Sequence, residues 1–245
     1  MKLYVIGIGP GGGEDMTLRA VRALKACDTL VGYPVYVDLV RDVFEGERVL
    51  ITPMKQEIER CRMAEDEESS GDTGAMVCPG GTGGGGMAGL ILEIAKEHPE
   101  LPVEIVPGVT AALSGASVLG APLAHDFAVI SLSDLLTRWE VIEARLRAAA
   151  QADFVICLYN PASKKRADYL HRACEILLEA KSPQTVCATA RNIGRDGQES
   201  KLMTLTELAN APADMFTTVF IGSSRTKVVN GRMVTPRGYE AKGTL

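Results

Sequence analysis

The chain has 245 residues and a formal net charge of −5, with 46% hydrophobic and 23% charged residues. This composition is typical of a soluble globular protein, and the length suits one large domain or two small ones. An acidic chain without a lysine- or arginine-rich block gives little support to nucleic-acid binding. Because no apolar run reaches about 18 residues and the apolar start is too short for a secretory signal, we expect a cytoplasmic protein that does not enter a membrane.

The first half of the chain alternates between strand-like and helix-like patterns. The predicted elements are a strand at 3–8, a helix from near Met16, a strand at 28–33, a helix at 55–68, a strand at 74–79, a helix at 87–98, a strand at 102–107 and a helix at 109–119. Such β/α alternation predicts a mostly parallel sheet with helices on its faces, and therefore an α/β fold.

The segment "GAPLAHDF" at 120–127 breaks this alternation, so we place a domain boundary there and predict domains at 1–122 and 123–245. The second half predicts a strand at 127–132, a helix at 139–150, a strand at 153–158, a helix at 165–180 and a strand at 184–190. The tail changes character, because 217–224 and 227–236 have the pattern of antiparallel strands. Asn230-Gly231 between two short apolar runs is typical of a two-residue hairpin.

The six cysteines are too far apart for a C-x-x-C pair, and only three histidines could complete a metal site. We therefore expect buried or incidental thiols and no metal centre. The cysteines are Cys27, Cys61, Cys78, Cys157, Cys174 and Cys187.

The first predicted strand runs into Gly7-Ile8-Gly9-Pro10-Gly11-Gly12, a G-x-G-x-x-G pattern. A dinucleotide site also needs an acidic residue at the end of the second strand, about 20 residues further on. Asp28 lies at the start of that strand, and Pro10 removes a backbone N–H that a phosphate could use. The pattern therefore disfavours NAD, and leaves open either a plain strand-to-helix turn or another kind of ligand loop.

Three longer stretches carry a resemblance. "VIGIGPGG" with "MTLRAVRALKACDTLVGY", and "VEIVPGVTAALSGASVLGAPLAHDF" at 103–127, resemble the tetrapyrrole methylases, S-adenosylmethionine-dependent enzymes that include the precorrin methyltransferases. "HDFAVISLSDLLTRWEVIEARLRAAAQADFVICLYNPASKKR" at 125–166 resembles the precorrin-3B C17-methyltransferase family within them. "ITPMKQEIERC" at 51–61 and "TPRGY" at 235–239 are similar to the same family.

This resemblance implies two α/β domains of the tetrapyrrole methylase type with the active site in the cleft between them, assembled as a homodimer. It implies S-adenosyl-L-methionine as methyl donor and an acidic tetrapyrrole of cobalamin (corrin) biosynthesis as substrate. The implied reaction methylates C17 and contracts the ring, on either metal-free precorrin-3B or its cobalt form. The alternative is a non-catalytic module that keeps the methylase fold and binds a tetrapyrrole or a nucleotide.

A departure from the family pattern keeps that alternative open. Relatives carry a serine-rich "SSGD-x-G-x-YGMAG" where this chain has "CPGGTGGGGMAG" at 78–89. Pro79 replaces a serine, Gly81 an aspartate and Gly85 a tyrosine. Because glycine offers only its backbone and adds freedom to the unbound loop, we expect a mobile loop at 80–86 and weaker cofactor binding.

The resemblance also implies positions for the cofactor, which follow the ends of strands in both halves. Thr110 could instead be a helix cap, and Tyr159 a core aromatic with a satisfied hydroxyl. The implied cofactor-binding residues are Pro10, Gly81, Gly84, Thr110, Ala111, Tyr159, Asn160, Ala190 and Arg191.

The substrate's carboxylates require cations, and arginine can bind them in a bidentate manner. Solvated surface charge is the alternative for each candidate. His125 with Asp126 could act as a general base or be a locally bonded linker histidine, so the catalytic acid and base stay unassigned. The candidate substrate-binding residues are Lys164, Lys165, Arg166 and Arg195, with Arg191 as a further candidate.

Overall fold

The structure, a computed structural model, describes residues 2–53, 56–69, 72–82, 86–163 and 165–239. It forms two compact units, Met1–Ala111 and Ala112–Leu245. The domain boundary at residues 122 and 123 stays a prediction. Across the described ranges, every helix is too short or too polar to cross a membrane.

The first unit contains one sheet in which all neighbouring strands are parallel, as the β/α alternation predicts. The strand order is β3-β2-β4-β1-β5, so the first strand lies between the fourth and the fifth. The strands are β1 Lys2–Gly7, β2 Thr29–Gly32, β3 Arg48–Ile51, β4 Thr73–Cys78 and β5 Val103–Val106.

Helices cover both faces of this sheet, which is why its central strands are apolar on both sides. On one face Ile6 and Ala75 pack with Leu24. On the other, Leu3 and Ile91 pack among the buried residues. The helices are α1 Leu18–Lys25, α2 Pro34–Asp38, α3 Glu57–Ser69 and α4 Met87–Ile94, with 3-10 turns at Gly13–Asp15 and Ala95–Glu97.

Three elements of the first unit differ from the sequence-based predictions. α1 begins at Leu18 because the Thr17 hydroxyl accepts a hydrogen bond from the N–H of Ala20 and caps the helix. The short strand β3 and the helix α2 were not predicted, since four- and five-residue elements carry little periodic signal.

The second unit contains a second sheet of the order β10-β9-β11-β8-β7. Its helices are α5 Ala111–Leu119, which starts at the last residue of the first unit, α6 Trp139–Gln151, α7 Tyr169–Leu178 and α8 Leu205–Leu208. Its strands, including three short ones outside that sheet, are β6 Gly120–Ala121, β7 Phe127–Ser131, β8 Val155–Tyr159, β9 Val186–Arg191, β10 Glu199–Thr204, β11 Thr217–Ile221, β12 Lys227–Val229 and β13 Arg232–Val234.

The second sheet is mixed, and the antiparallel pattern predicted for 217–224 is confirmed in β11. β7 pairs with β8 in parallel, whereas β8 with β11, β11 with β9 and β9 with β10 are antiparallel. The cause is β11, which lies between β8 and β9 and runs against both. The turn from β9 to β10 contains Asn192, Gly194 and Gly197 with positive φ, so the chain reverses immediately instead of forming a crossover helix.

α7 also begins later than predicted, at Tyr169 instead of residue 165. Ser163 and Arg166 exchange backbone hydrogen bonds of 2.9 and 3.4 Å, which holds this part of the chain in a turn. The C-terminal hairpin is confirmed, because β12 and β13 are antiparallel and Asn230 and Gly231 have φ of 50° and 72°.

Candidate functional site

The ends of β1, β4 and β5 meet at four glycines, Gly7, Gly9, Gly80 and Gly108, which we call the glycine junction. Gly9 and Gly80 exchange two backbone hydrogen bonds of 3.2 and 3.0 Å. A Cβ on Gly108 would lie 2.3 Å from the carbonyl oxygen of Gly80 and 2.5 Å from that of Gly7. The three chain segments therefore pack backbone against backbone, which only glycine permits.

This packing accounts for the G-x-G-x-x-G pattern without a dinucleotide. Gly9 has φ of 70°, and a Cβ on it would lie 2.9 Å from the carbonyl oxygen of Asp15. Gly12, the third glycine, has an ordinary φ of −65°. Asp28 directly precedes β2, at the end of the strand away from the glycine junction, and its carboxylate accepts a hydrogen bond of 2.9 Å from the N–H of Thr73.

The structure brings together three of the residues predicted to bind the cofactor in the first unit. A Cβ on Gly81 would lie 3.8 Å from the Cβ of Thr110, and one on Gly80 would lie 3.7 Å from the N–H nitrogen of Ala111. Pro10 is buried. Gly84, and Gly85 with it, lie outside the described residues.

Threonines fasten these loops to one another. The Thr17 hydroxyl donates a 3.0 Å hydrogen bond to the carbonyl of Pro107, so the segment after β1 is tied to the segment after β5. The buried Thr82 hydroxyl donates at 3.2 Å to the carbonyl of Val106. Such anchors fix the carboxyl edge of the sheet, the edge at which open α/β sheets bind ligands.

In the second unit, Tyr159 ends β8 and Asn160 follows it. The Tyr159 hydroxyl accepts a 2.8 Å hydrogen bond from the N–H of Ala112, in the first turn of α5. The first N–H groups of a helix lack intrahelical partners, and Ala112 is fully buried. The Tyr159 side chain, which is remote in the chain, therefore caps the start of α5. Asn160 has φ of 52°, and its amide donates to the Ser131 hydroxyl at 3.0 Å.

Two further predicted residues end β9. Ala190 is fully buried and pairs with Ser200 and Thr218 in the sheet, so its side chain is a core group. Arg191 donates to Asp214 at 2.8 Å and lies 3.3 Å from a carboxylate oxygen of Glu199.

These ion pairs shift the pKa of both partners around Arg191. The hydrogen bond to Asp214, and then the carboxylate charge itself, raise the pKa of Arg191. Burial alone would raise the pKa of Asp214, but hydrogen bonds from Arg191, Thr217 and the N–H of Phe216 lower it overall. This pairing could not be predicted from the sequence, because Asp214 follows Arg191 by 23 positions in an irregular segment.

The predicted substrate cations differ in how far they are already engaged. Arg166 donates to the Ser133 hydroxyl at 2.8 Å and lies 3.5 Å from a carboxylate oxygen of Asp134. The guanidinium of Arg195 lies 5.9 Å from the centre of the Phe216 ring. Lys165 is exposed, and Lys164 lies outside the described residues.

Sequence reasoning overlooked the segment at 131–138, which joins β7 to α6. Its hydroxyl and carboxylate groups bond to the residues that follow β8: Ser131 to Asn160, and Ser133 and Asp134 to Arg166. The available signal was the serine- and aspartate-rich "SLSD", a composition typical of turns that bond their own backbone.

The cysteine prediction is confirmed, since all six thiols are free and buried. Burial raises the pKa of Cys78 to about 12, so this thiol stays protonated at neutral pH. In the described ranges, no three His, Cys, Asp or Glu side chains form a group that could hold a metal ion. The ring of His125 bonds the carbonyl of Pro236, 111 positions along the chain, at 3.1 Å.

Comparison with known proteins gives the class to which this fold belongs. The profile of the Tetrapyrrole (Corrin/Porphyrin) Methylases matches residues 2–209, and the chain is a member of that family. A protein of Salmonella typhimurium named "Probable cobalt-factor III C(17)-methyltransferase" is 46% identical over 97% of this chain and 99% of its own length. The "Cobalt-factor III methyltransferase" of Priestia megaterium is 41% identical over 100% of this chain, which spans 46% of that longer protein.

A solved structure agrees with these relatives. The crystal structure of the methyltransferase CobJ superposes with a TM-score of 0.88 and 35% identity, over 96% of this chain and 99% of that one.

Proposed function

We propose that this protein transfers a methyl group from S-adenosylmethionine to C17 of an acidic tetrapyrrole, with ring contraction, in cobalamin biosynthesis. The observation that carries the proposal is the 46% identity to a relative named for this activity, over nearly the full length of both chains. Because the relatives are named for cobalt-factor III, we propose the cobalt-containing substrate ahead of metal-free precorrin-3B.

The glycine junction and its surroundings fit the cofactor. The edge formed by residues 80–81 and 109–111 presents backbone groups and small side chains, which suits the close approach of a ligand to the backbone. Gly81, Thr110 and Ala111 would hold the cofactor there, together with Tyr159 and Asn160. The cofactor supplies an already activated methyl group.

The chain's own contribution to this reaction is therefore alignment. A preorganised site converts a two-molecule encounter into a step within one complex, and that requires rigid loops. The hydrogen bonds of Thr17 and Thr82, and the bond from Ala112 to Tyr159, supply this rigidity.

Arg191 is charge-paired, so we assign it to holding the end of β9 and assign Lys165 to the substrate's carboxylates. We propose that the active site lies in a cleft between two domains and that the protein is a cytoplasmic homodimer. Support for these points comes from the family resemblance of the sequence. A non-catalytic binding module is the second candidate, and the glycine-rich departure at 78–89 is the observation behind it.

The deciding experiment measures transfer of labelled methyl groups from S-adenosylmethionine to cobalt-factor III and, separately, to precorrin-3B. We expect turnover on the cobalt form and slower turnover on the metal-free form. Binding of S-adenosylhomocysteine without turnover on either substrate would favour the module, and binding of NAD alone would contradict the methyltransferase.

A further inference from the structure

We propose that Leu135 and Leu136 form an apolar contact surface for one face of the tetrapyrrole macrocycle. This inference rests on the proposed function and adds a residue pair that selects the substrate and leaves the cofactor unaffected.

The first observation is exposure. The side chain of Leu136 is 99% exposed and that of Leu135 is 63% exposed. Single exposed leucines are common on protein surfaces, but two adjacent ones favour contact with a ligand or partner. They follow the carboxyl end of β7, next to the end of β8 that carries Tyr159 and Asn160, at the edge where α/β sheets bind ligands.

The second observation is that the backbone before the leucines is fixed. Ser131 accepts hydrogen bonds from the amide of Asn160 at 3.0 Å and from the N–H of Ser133 at 3.2 Å. Asp134 accepts one from the hydroxyl of Tyr169 at 2.6 Å. The exposed leucines are therefore presented by an ordered segment that is bonded to the end of β8, so a bound ligand need not order it.

The third observation is the charge around the pair. Lys165 is exposed, and its neighbour Arg166 bonds the Ser133 hydroxyl at 2.8 Å. The side chain of Arg138, two residues after Leu136, is 84% exposed and lies 3.8 Å from a carboxylate oxygen of Glu140. An apolar pair with the exposed Lys165 and the loosely paired Arg138 in the neighbouring segments matches a flat macrocycle that carries carboxylates on its rim better than a small polar cofactor.

The test uses the full chain with Leu135→Gln, Leu136→Gln and the double variant. Glutamine keeps the length of the side chain and removes its apolar surface. The matched control is Leu92→Gln, which changes a 49% exposed leucine on α4. Affinity for cobalt-factor III is measured by absorbance titration without cofactor, KM by methyl transfer, and affinity for S-adenosylhomocysteine by calorimetry.

We expect each substitution to weaken substrate binding and raise KM about tenfold, the scale of removing one buried leucine contact. Affinity for S-adenosylhomocysteine and the sedimentation coefficient should equal those of Leu92→Gln. If the wild type methylates cobalt-factor III but the double variant matches the control, the inference is wrong while the proposed function stands. A change in oligomeric state with unchanged substrate affinity would assign the surface to a second copy of the chain and also overturn it. If the wild type neither binds nor methylates a tetrapyrrole, the proposed function fails and this inference with it.

Discussion

Replacing Gly7 by alanine should break the glycine junction, whereas the same change at Gly12 should be harmless. A Cβ on Gly7 would lie 2.7 Å from the backbone nitrogen of Gly108 and 2.8 Å from the carbonyl oxygen of Gly80. Both contacts are below 3.0 Å and both partners are backbone atoms, so no flexible side chain can move aside. A Cβ on Gly12 would meet nothing within 4 Å.

The magnitudes follow from these distances. Overpacking by a methyl group costs about 1–3 kcal/mol, and we expect Gly7→Ala to cost about 3 kcal/mol because two strand ends must separate. Gly12 has φ of −65° and ψ of 178°, which alanine adopts without strain. Gly12→Ala should therefore stabilise the protein by about 0.4–1 kcal/mol, since it restricts the unfolded chain.

Denaturant unfolding followed by far-ultraviolet circular dichroism measures this difference. The single tryptophan, Trp139, lies in the second unit, so fluorescence alone would not report on the first. Equal stability of the two variants would refute the steric reasoning. Loss of S-adenosylhomocysteine binding in Gly12→Ala at unchanged stability would show instead that the third glycine contacts the ligand.

Four other changes have definite expected outcomes. Tyr159→Phe leaves the buried N–H of Ala112 without its hydrogen bond to the tyrosine hydroxyl, so the free energy of unfolding in denaturant titration should fall by about 1–3 kcal/mol. Cofactor affinity measured by calorimetry should fall as well. If neither quantity changes, the capping role of Tyr159 is refuted. Burial alone would raise the pKa of Asp153, but hydrogen bonds from Ser224 and the charge of Lys181 lower it below its ordinary value. The ionised carboxylate therefore stabilises the fold above the ordinary pKa, and this contribution is lost as pH falls through the lowered pKa. The melting temperature should consequently fall less steeply between about pH 5 and 2 in Asp153→Asn than in the wild type. The six buried thiols should react with a thiol reagent only after denaturant is added, and fast reaction in the native state would contradict their burial. Gly81→Asp should tighten S-adenosylhomocysteine binding roughly tenfold or more by restoring a charged acceptor; weaker binding would mean that the Gly108 carbonyl, 3.1 Å from the new Cβ, cannot yield.

Regular alternation made the first sheet predictable, because each of its main strands is followed by a helix of ordinary length. The pairing order of the second sheet was not predictable in the same way, because that local rule stops applying there. β11 lies beside β8 although about 60 residues separate them in the chain, and no periodicity within either strand encodes that pairing. The turn after β9 was readable from its asparagine and glycines, but its consequence for strand direction was not.

The candidate site shows the same division. The sequence and its resemblance gave candidate residues in several segments, and the structure brings Gly81, Thr110 and Ala111 together. What could not be predicted is which side chains are already engaged. Arg191 bonds Asp214, and Tyr159 bonds the backbone of α5, because these partners meet only when the chain is folded.

The glycine junction also acts on the alignment of the strands. The side chains of Ile6 and Ile8 lie on either side of Gly7 in the chain, and a shift of β1 by one residue in either direction would place one of them where Gly7 meets Gly80 and Gly108. That position cannot hold even a methyl group. Shifted pairings of β1 with β4 and β5 are therefore excluded by steric repulsion at one end of the sheet. A parallel sheet built from uniformly apolar strands, whose alternative registers differ little in hydrophobicity, gains in this way a unique alignment.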